Sequence, residues 1–401
     1  MSNGYKKEVV GETEKGSTIF ISVPIPMDQE LFEFARLGKE TELQRMKKQK
    51  PNTLKGCTPK GNTALHIASR LGRTRFAAAI SELCPSLLLE QNSRGDTALH
   101  AAARAGHFTL VRELINCSSK KGLKDQMMRK VNVEHNTALH EAARNRDHKV
   151  VELLIGEEPK LAFVSNKAGA SPLYVAAHEG CLESVESILK VMESQQACWG
   201  GPQDRTPLHA AVVRQHLEIT ELLIKARPAF LLVKDTYGNF PLHYAVALGD
   251  VGMVRMLLNK NKSIAYLGDK ENRSPFHIAA NNGHISVMEE LLRQCPDSAE
   301  TIDDKKWNAL HVAVAMENIE AVKYILSSKR LKDLINEPDK DGNTPLHLAI
   351  IKRHFSISLL LLRDKRVDLN LINGEGKTVT DIVESDQELS KKFQKVIHLC
   401  L

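Results

Sequence analysis

The sequence has few aromatic residues and no apolar segment long enough to span a membrane. Aromatic side chains make up 5% of the 401 residues, so the interior must be packed mainly with Ala, Leu, Ile and Val. A spanning helix needs roughly 18 or more consecutive apolar residues, and the best candidate, 357–362, ends at Arg363. The polar segment at the N-terminus has no apolar run typical of a secretory signal. We therefore expect a cytoplasmic chain with no membrane span of its own.

Cysteine and charge patterns argue against several further classes of site. The seven cysteines are odd in number, scattered, and form no CxxC pair, which indicates reduced thiols and not a disulfide framework or a zinc site. The net charge of +6 is small for this length, and no block of five like charges occurs, so we expect no nucleic-acid partner. Short basic groups at 45–50 and 120–124 are more typical of a solvated face than of a binding site.

A tetrapeptide resembling Thr-Pro-Leu-His recurs along most of the chain. It begins at 63, 97, 137, 171, 206, 240, 274, 308, 344 and 378, and the average spacing is 35 residues. Ankyrin repeats have a period of about 33 residues. The pattern therefore predicts an all-α ankyrin-repeat solenoid of helix-turn-helix units with β-hairpin fingers, containing about ten repeats and an N-terminal cap. The predicted bounds are 1–27 for a disordered segment, 28–60 for a degenerate capping repeat, 61–381 for the array and 382–401 for a C-terminal capping helix.

Each unit contains local signals for a helix start and for a tight turn. Thr or Ser is placed to cap the first helix, and Pro often follows at the first helical position, where its missing N–H is harmless. Two residues before the cap, most fingers have Gly, which predicts a positive φ. His135, Asp204 and Asn272 replace that Gly with residue types that tolerate positive φ, whereas Lys306 predicts a strained finger.

The sequence contains no convincing catalytic, metal or cofactor motif. The segment 140–144 resembles HExxH, but Arg144 stands where the second zinc ligand would be, and 56–63 resembles a phosphate loop without its Lys. We therefore expect no enzyme activity, no metal and no cofactor. The histidines of the tetrapeptides are predicted to bond the backbone of the neighbouring finger through neutral rings. These repeat anchors are His66, His100, His140, His209, His243, His277, His311 and His347.

Partner binding is expected at the finger tips, where side chains are not needed for packing. Trp, Tyr and Arg contribute most to protein interfaces, and Tyr237, Arg273 and Trp307 fall in three successive fingers. We hypothesise that these three form one patch that binds another protein; the alternative is that Tyr237 or Trp307 packs against a neighbouring finger. Further candidates are Arg205, His135 and Lys306.

Residues 28–384 resemble the plant ankyrin–transmembrane proteins of the accelerated-cell-death-six type. The resemblance rests on longer phrases at 237–245, 263–271, 295–300 and 334–347. It implies a scaffold in plant defence or cell-death signalling with a cytosolic ankyrin face. Members of that family continue into transmembrane helices, whereas this sequence stops at Leu401. Two interpretations stay open: a soluble adaptor, or the cytosolic portion of a membrane signalling protein at the plasma membrane. Self-association is a further possibility for either.

Overall fold

The computed structural model describes residues 5–12, 18–192 and 199–391. The chain divides into two compact units, Met1–Pro202 and Gln203–Leu401. Pairs of short antiparallel helices follow one another in each unit, as the repeat pattern predicts. None of the helices within the described ranges is long and apolar enough to cross a membrane.

The first unit begins with a two-stranded antiparallel sheet. Its strands are β1 (Tyr5–Glu12) and β2 (Thr18–Pro24), with Val9 paired to Phe20. A disordered segment is predicted over 1–27 because this region is polar, but β2 is rich in β-branched residues, which favour extended backbone, and β1 pairs with it. Residues 1–4 and 13–17 of that segment lie outside the described ranges.

Eleven helices follow in the described part of the first unit. They are α1 (Gln29–Leu37), α2 (Thr41–Gln49), α3 (Ala64–Arg70), α4 (Thr74–Leu83), α5 (Ala98–Arg104), α6 (Phe108–Lys120), α7 (Lys124–Met128), α8 (Ala138–Arg144), α9 (His148–Glu157), α10 (Pro172–Glu179) and α11 (Leu182–Met192). The first helices of successive repeats, α3, α5, α8 and α10, pack side by side, and the second helices form a parallel layer behind them.

The second unit repeats the arrangement. Its helices are α12 (Pro207–Val213), α13 (Leu217–Ala226), α14 (Pro241–Ala247), α15 (Val251–Lys260), α16 (Pro275–Asn282), α17 (Ile285–Gln294), α18 (Ala309–Ala315), α19 (Ile319–Ser327), α20 (Pro345–Ile351), α21 (Phe355–Leu362) and α22 (Val379–Ser385). Residues 387–391 are also helical, and the rest of the predicted capping helix at 382–401 lies outside the described ranges.

The core of both units is a repeated layer of small and branched aliphatic side chains. Where the tetrapeptide contains Leu, that side chain is almost fully buried, as Leu65, Leu99 and Leu139 illustrate. Burying one such side chain stabilises the fold by about 1.5–3 kcal/mol. Ala102 and Ala142 fill the next inward positions, and their small size lets neighbouring helices approach closely. Low aromatic content is therefore a packing requirement of this helix stack.

The fingers are tight turns: none of those described contains a named pair of strands, although Cys57 and Thr63 form an isolated antiparallel bridge at the base of the first. In one example the amide of Gly342 donates to the carbonyl of Asp339 at 3.1 Å, which closes the turn. The predicted positive φ is confirmed at the glycines and at all four substitutes: φ is 58° at His135, 58° at Asp204, 60° at Asn272 and 57° at Lys306. Gln203 also has a positive φ, which its sequence context does not indicate.

Candidate functional site

The anchor histidines connect each repeat to the next finger. The amide of Thr137 donates to Nδ1 of His140 at 3.1 Å, and Nε2 of His140 lies 3.1 Å from the carbonyl oxygen of Ala170. The same two contacts occur at all eight anchors. Because Nδ1 accepts and Nε2 donates, each ring is neutral. Each anchor histidine thus bonds the cap of its own helix and the backbone of the next finger.

Burial keeps these rings uncharged at neutral pH. It lowers the pKa of His66, His140 and His209 to about 4, although a backbone carbonyl at Nε2 of each ring opposes the shift. Both ring nitrogens are already occupied, so the anchors offer no lone pair to a metal ion.

A second repeated position organises the fingers, and the sequence analysis missed it. Five residues before the helix cap, most fingers have Asn or Asp, and its Oδ1 accepts two backbone amides. Oδ1 of Asp339, for example, accepts from Asp341 at 2.9 Å and from Asn343 at 2.8 Å. The other residues with this contact pair are Asn92, Asn132, Asn166, Asp235, Asp269, Asp303 and Asn373. The signal was present in the sequence, as an Asn or Asp recurring at this register.

Neighbouring fingers of the second unit are also joined by their backbones. The amide of Asp304 donates to the carbonyl of Glu271 at 3.1 Å, and the amide of Lys340 donates to that of Lys305 at 2.9 Å. Equivalent backbone bonds join each finger to the next along the series from Gln203 to Gly374. Because the backbone of each finger is bonded to that of the next, the side chains of successive fingers have a fixed spacing.

The two units use the Asn/Asp position differently. In the first unit it is Asn, whose amide nitrogen donates to the preceding finger: Nδ2 of Asn92 lies 2.8 Å from Oδ1 of Asn62. In four fingers of the second unit it is Asp, at 235, 269, 303 and 339. An aspartate has a second oxygen that can accept but cannot donate, so it selects donors as neighbours.

These aspartates hold outward-facing side chains by that second oxygen. Oδ2 of Asp235 accepts from the hydroxyl of Tyr244 and lies 3.4 Å from Nε of Arg205. The guanidinium of Arg205 also lies 5.0 Å above the Tyr244 ring. Burial would raise the pKa of Asp235, but hydrogen bonds from Tyr244 and from the finger amides lower it below the usual value. Asp235 is therefore ionised and fixes the Arg205–Tyr244 pair.

Asp269 and Asp339 orient Arg273 and Trp307 in the same way. Oδ2 of Asp269 accepts from Nη2 of Arg273 at 2.7 Å, and the Arg273 side chain is 41% exposed. Oδ2 of Asp339 accepts from Nε1 of Trp307 at 3.1 Å, while Nζ of Lys305 lies 4.6 Å from the centre of the Trp307 ring. Both side chains are thus fixed in orientation and partly open to solvent.

The predicted patch is only partly formed by equivalent positions. Arg205, Arg273 and Trp307 each stand one residue before the cap of their helix, whereas Tyr237 stands three before it. The Tyr237 hydroxyl accepts from Nε2 of Gln203 at 3.2 Å, yet the residue is 53% exposed. Trp307 contacts the neighbouring finger through Asp339, as the alternative interpretation supposed. A common patch of Tyr237, Arg273 and Trp307 stays a prediction.

The two remaining candidates are Lys306 and His135. Lys306 is exposed in the same finger as Trp307, and His135 is an exposed finger residue of the first unit. Tyr244 was missed because it lies in a first helix, directly after an anchor histidine, and not in a finger.

Comparison with known proteins gives matches along most of the chain. A sequence model of the family described as ankyrin repeats, in three copies, matches residues 31–125, 118–197, 173–267, 261–333 and 276–373. The ankyrin repeat domain of Bcl-3, described as a unique member of the IkappaB protein family, is 24% identical and has a TM-score of 0.48 over 55% of this chain and 94% of its own. The human ASB11 ankyrin repeat domain is 22% identical and has a TM-score of 0.48 over 58% of this chain and 98% of its own. The search of curated protein sequences gave no match.

Proposed function

Because this chain belongs to the ankyrin-repeat family, whose repeats serve as protein-interaction scaffolds, we propose that it is a non-enzymatic adaptor and that the fingers of its second unit hold a protein partner. The observation that carries the proposal is the set of aspartates that orient Arg205, Tyr244, Arg273 and Trp307. We call these four side chains the finger row.

The finger row has the composition and the rigidity of an interface hot spot. Trp, Tyr and Arg are the residue types most enriched among residues that dominate binding energy. Immobilising a flexible side chain on binding costs about 0.5–1.5 kcal/mol, and a side chain already held in place avoids that cost. Hydrogen bonds to buried aspartates supply this pre-organisation here.

The cellular setting of the proposal is plant defence or cell-death signalling in the cytoplasm, supported by the resemblance of 237–245 and 334–347 to the plant ankyrin–transmembrane proteins. The alternative is that these repeats are the cytosolic portion of a membrane signalling protein at the plasma membrane. Sequencing the transcript across the codon for Leu401 separates the two settings: a continuation into long apolar segments favours the membrane protein, and a stop codon favours the adaptor.

The test compares two equivalent Asp-to-Asn substitutions. Asp339→Asn keeps the oxygen that closes the finger turn but replaces the acceptor of Trp307 with a donor, so Trp307 is released. Asp303→Asn is the matched control, because Asp303 also closes a finger turn but, within the described part of the chain, makes no hydrogen bond to another side chain. A partner captured by the wild-type chain is purified, and its Kd is measured for both variants.

We expect Asp339→Asn to weaken partner binding about two- to tenfold, as the loss of one pre-organised side chain implies. Trp307→Ala should weaken it further, while Asp303→Asn leaves it near the wild-type value. If Trp307→Ala and Arg273→Ala both bind the partner as tightly as the wild type and unfold at the same temperature, the finger row is not the binding surface. Capture of a second copy of the chain would show self-association.

A further inference from the structure

The first unit contains an arginine, Arg70, that lacks the partners of its equivalent in the next repeat, Arg104. Arg104 and Arg70 occupy the same position in successive first helices, α5 and α3. Arg104 donates from Nη1 to Oδ2 of Asp96 at 2.8 Å, from Nη2 to Oδ1 of Asp96 at 2.9 Å, and from Nε to Oε2 of Glu141 at 2.9 Å. Two almost fully buried carboxylates therefore hold one guanidinium.

Neither carboxylate has a counterpart beside Arg70. Asp96 precedes Arg104 by eight residues, and the residue eight before Arg70 is the neutral Asn62. Glu141 directly follows the anchor histidine of the next repeat, and the equivalent residue for Arg70 is Ala101. Within the described part of the chain, the Arg70 guanidinium has no hydrogen bond and no ion pair, and Arg70 is exposed.

The missing carboxylates leave a cleft in the first unit. The cleft has a volume of about 360 Å³ and lies between the fingers at 58–62 and 92–96 and the helices α3 and α5. Four cations line it: Lys60, Arg70, Arg94 and Arg104. Arg104 is held by Asp96 and Glu141, and Nε of Arg94 lies 3.5 Å from Oδ2 of Asp96. The Lys60 ammonium is exposed and, like Arg70, unpaired among the described residues. The cleft thus presents two unpaired cations, Lys60 and Arg70, in a chain of nearly balanced charge.

Apolar surface lies next to these charges. Phe32 and Ile67 line the same cleft, and Phe32, which is 37% exposed, also lines an adjoining cleft with Pro26 and Met27. Ala101 and Ala105 leave room above the helix where a longer side chain would reach Arg70. A ligand for this place needs a carboxylate and an apolar group close to it.

We propose that this cleft binds an acidic peptide segment of a partner protein, with a ligand carboxylate on Arg70 in the place that Glu141 takes on Arg104. The inference rests on the proposed adaptor function and adds a second binding site to it. A carboxylate over Ala101 completes for Arg70 the contact that the next repeat makes internally, and an adjacent apolar side chain of the ligand packs on Ile67 and Phe32. Lys60 and Arg94 at the rim attract further acidic residues.

The chain itself suggests the most direct test. Ala101→Glu installs the side chain that position 141 has naturally, so the fold tolerates it and Arg70 gains an internal partner. A random peptide display library is selected on the full wild-type chain and, in parallel, on Ala101→Glu. Peptides enriched on the wild type should contain Asp or Glu beside an apolar residue. If the peptides selected on the wild type are no richer in Asp and Glu than those selected on Ala101→Glu, the proposal is overturned.

Direct binding of the enriched peptides, made synthetically with a fluorescent label, is then measured by anisotropy. Arg70→Gln should weaken binding at least about tenfold, because it removes the charge-assisted hydrogen bond to the ligand carboxylate. Arg75→Gln is the matched control, since Arg75 is an exposed arginine on the outer helix α4. Replacing Asp and Glu of the peptide by Asn and Gln should abolish binding.

Further results of the peptide measurements would overturn the proposal: equal weakening by Arg70→Gln and Arg75→Gln, equal weakening by Ala101→Gln and Ala101→Glu, or tighter binding of a single-stranded oligonucleotide than of the peptides. Failure of the cleft proposal can be distinguished from failure of the proposed function of the finger row. A partner that loses affinity with Trp307→Ala but binds Ala101→Glu normally would refute the acidic-peptide cleft and leave the proposed function standing.

Discussion

Acid should destabilise this fold through its anchor histidines, and His140 offers a way to measure the effect of one ring. Its pKa is about 4 in the folded chain because the ring is buried, against about 6.5 in the unfolded chain. Between these values the unfolded state binds more protons, so the free energy of unfolding falls as the pH falls. The stability is fully present above pH ~6.5 and is lost progressively toward pH ~4.

The magnitude follows from the two pKa values. Going from pH ~7.5 to pH ~5.0, one such histidine should remove about 2 kcal/mol from the free energy of unfolding. Substituting His140→Gln removes the titrating group but keeps a side chain suited to this capping position, because Gln can also accept from the cap amide. The variant loses the link to the Ala170 carbonyl, which should cost about 1–3 kcal/mol at neutral pH.

The assay is urea unfolding of the wild type and of His140→Gln at pH values between neutral and 5, followed by far-UV circular dichroism. The difference in stability between the two proteins should shrink by about 2 kcal/mol on acidification. A constant difference across this range would refute the reasoning, because it would mean that His140 titrates alike in the folded and unfolded chains. His107→Gln serves as a control at a half-buried histidine of the same unit that is not a repeat anchor.

Two further substitutions test the packing of charge and of backbone. Arg104→Ala should destabilise the first unit by about 3 kcal/mol at neutral pH, because two almost fully buried carboxylates lose their shared guanidinium. Among the described residues, Asp96 and Glu141 then keep only Arg94 and Arg144 as cationic partners, and the deficit should diminish as acid protonates them. An unchanged thermal midpoint would contradict this. Gly238→Ala should destabilise the fold by more than the ~1 kcal/mol expected for Gly122→Ala. Both glycines have a positive φ, so the backbone strain is common to the two variants. A Cβ at position 238 would lie 2.6 Å from a backbone nitrogen of the next finger, whereas nothing lies within 4 Å of a Cβ at position 122. Equal losses in chemical denaturation would contradict the steric argument.

Sequence analysis identified the anchors and the turns because their causes are local. A capping Thr and its histidine are three residues apart, and the finger glycine is two residues before the cap, so one repeat contains the whole interaction on the cap side. The positive φ of Lys306 follows from register alone, since its neighbours in other fingers share that backbone conformation.

The finger row could be found only in part. Arg205, Arg273 and Trp307 were identified by residue type, but the atoms that orient them belong to aspartates as far as 32 residues away, as for Trp307 and Asp339. Tyr244 was missed since its hydroxyl reaches the finger from a helix.

The amino-acid sequence by itself determined the repeat period, the helix starts, the finger conformation and the role of the histidines, because each depends on contacts within one unit or on strict recurrence between units. The tertiary structure alone decided which charges are satisfied. Stacking brings positions 96, 104 and 141 together around one guanidinium, and the same stacking leaves Arg70 beside Asn62 and Ala101 without a carboxylate. Repeats of one sequence pattern have one fold, but the pairing of their polar side chains depends on residues contributed by the next repeat, about 30 to 40 positions away.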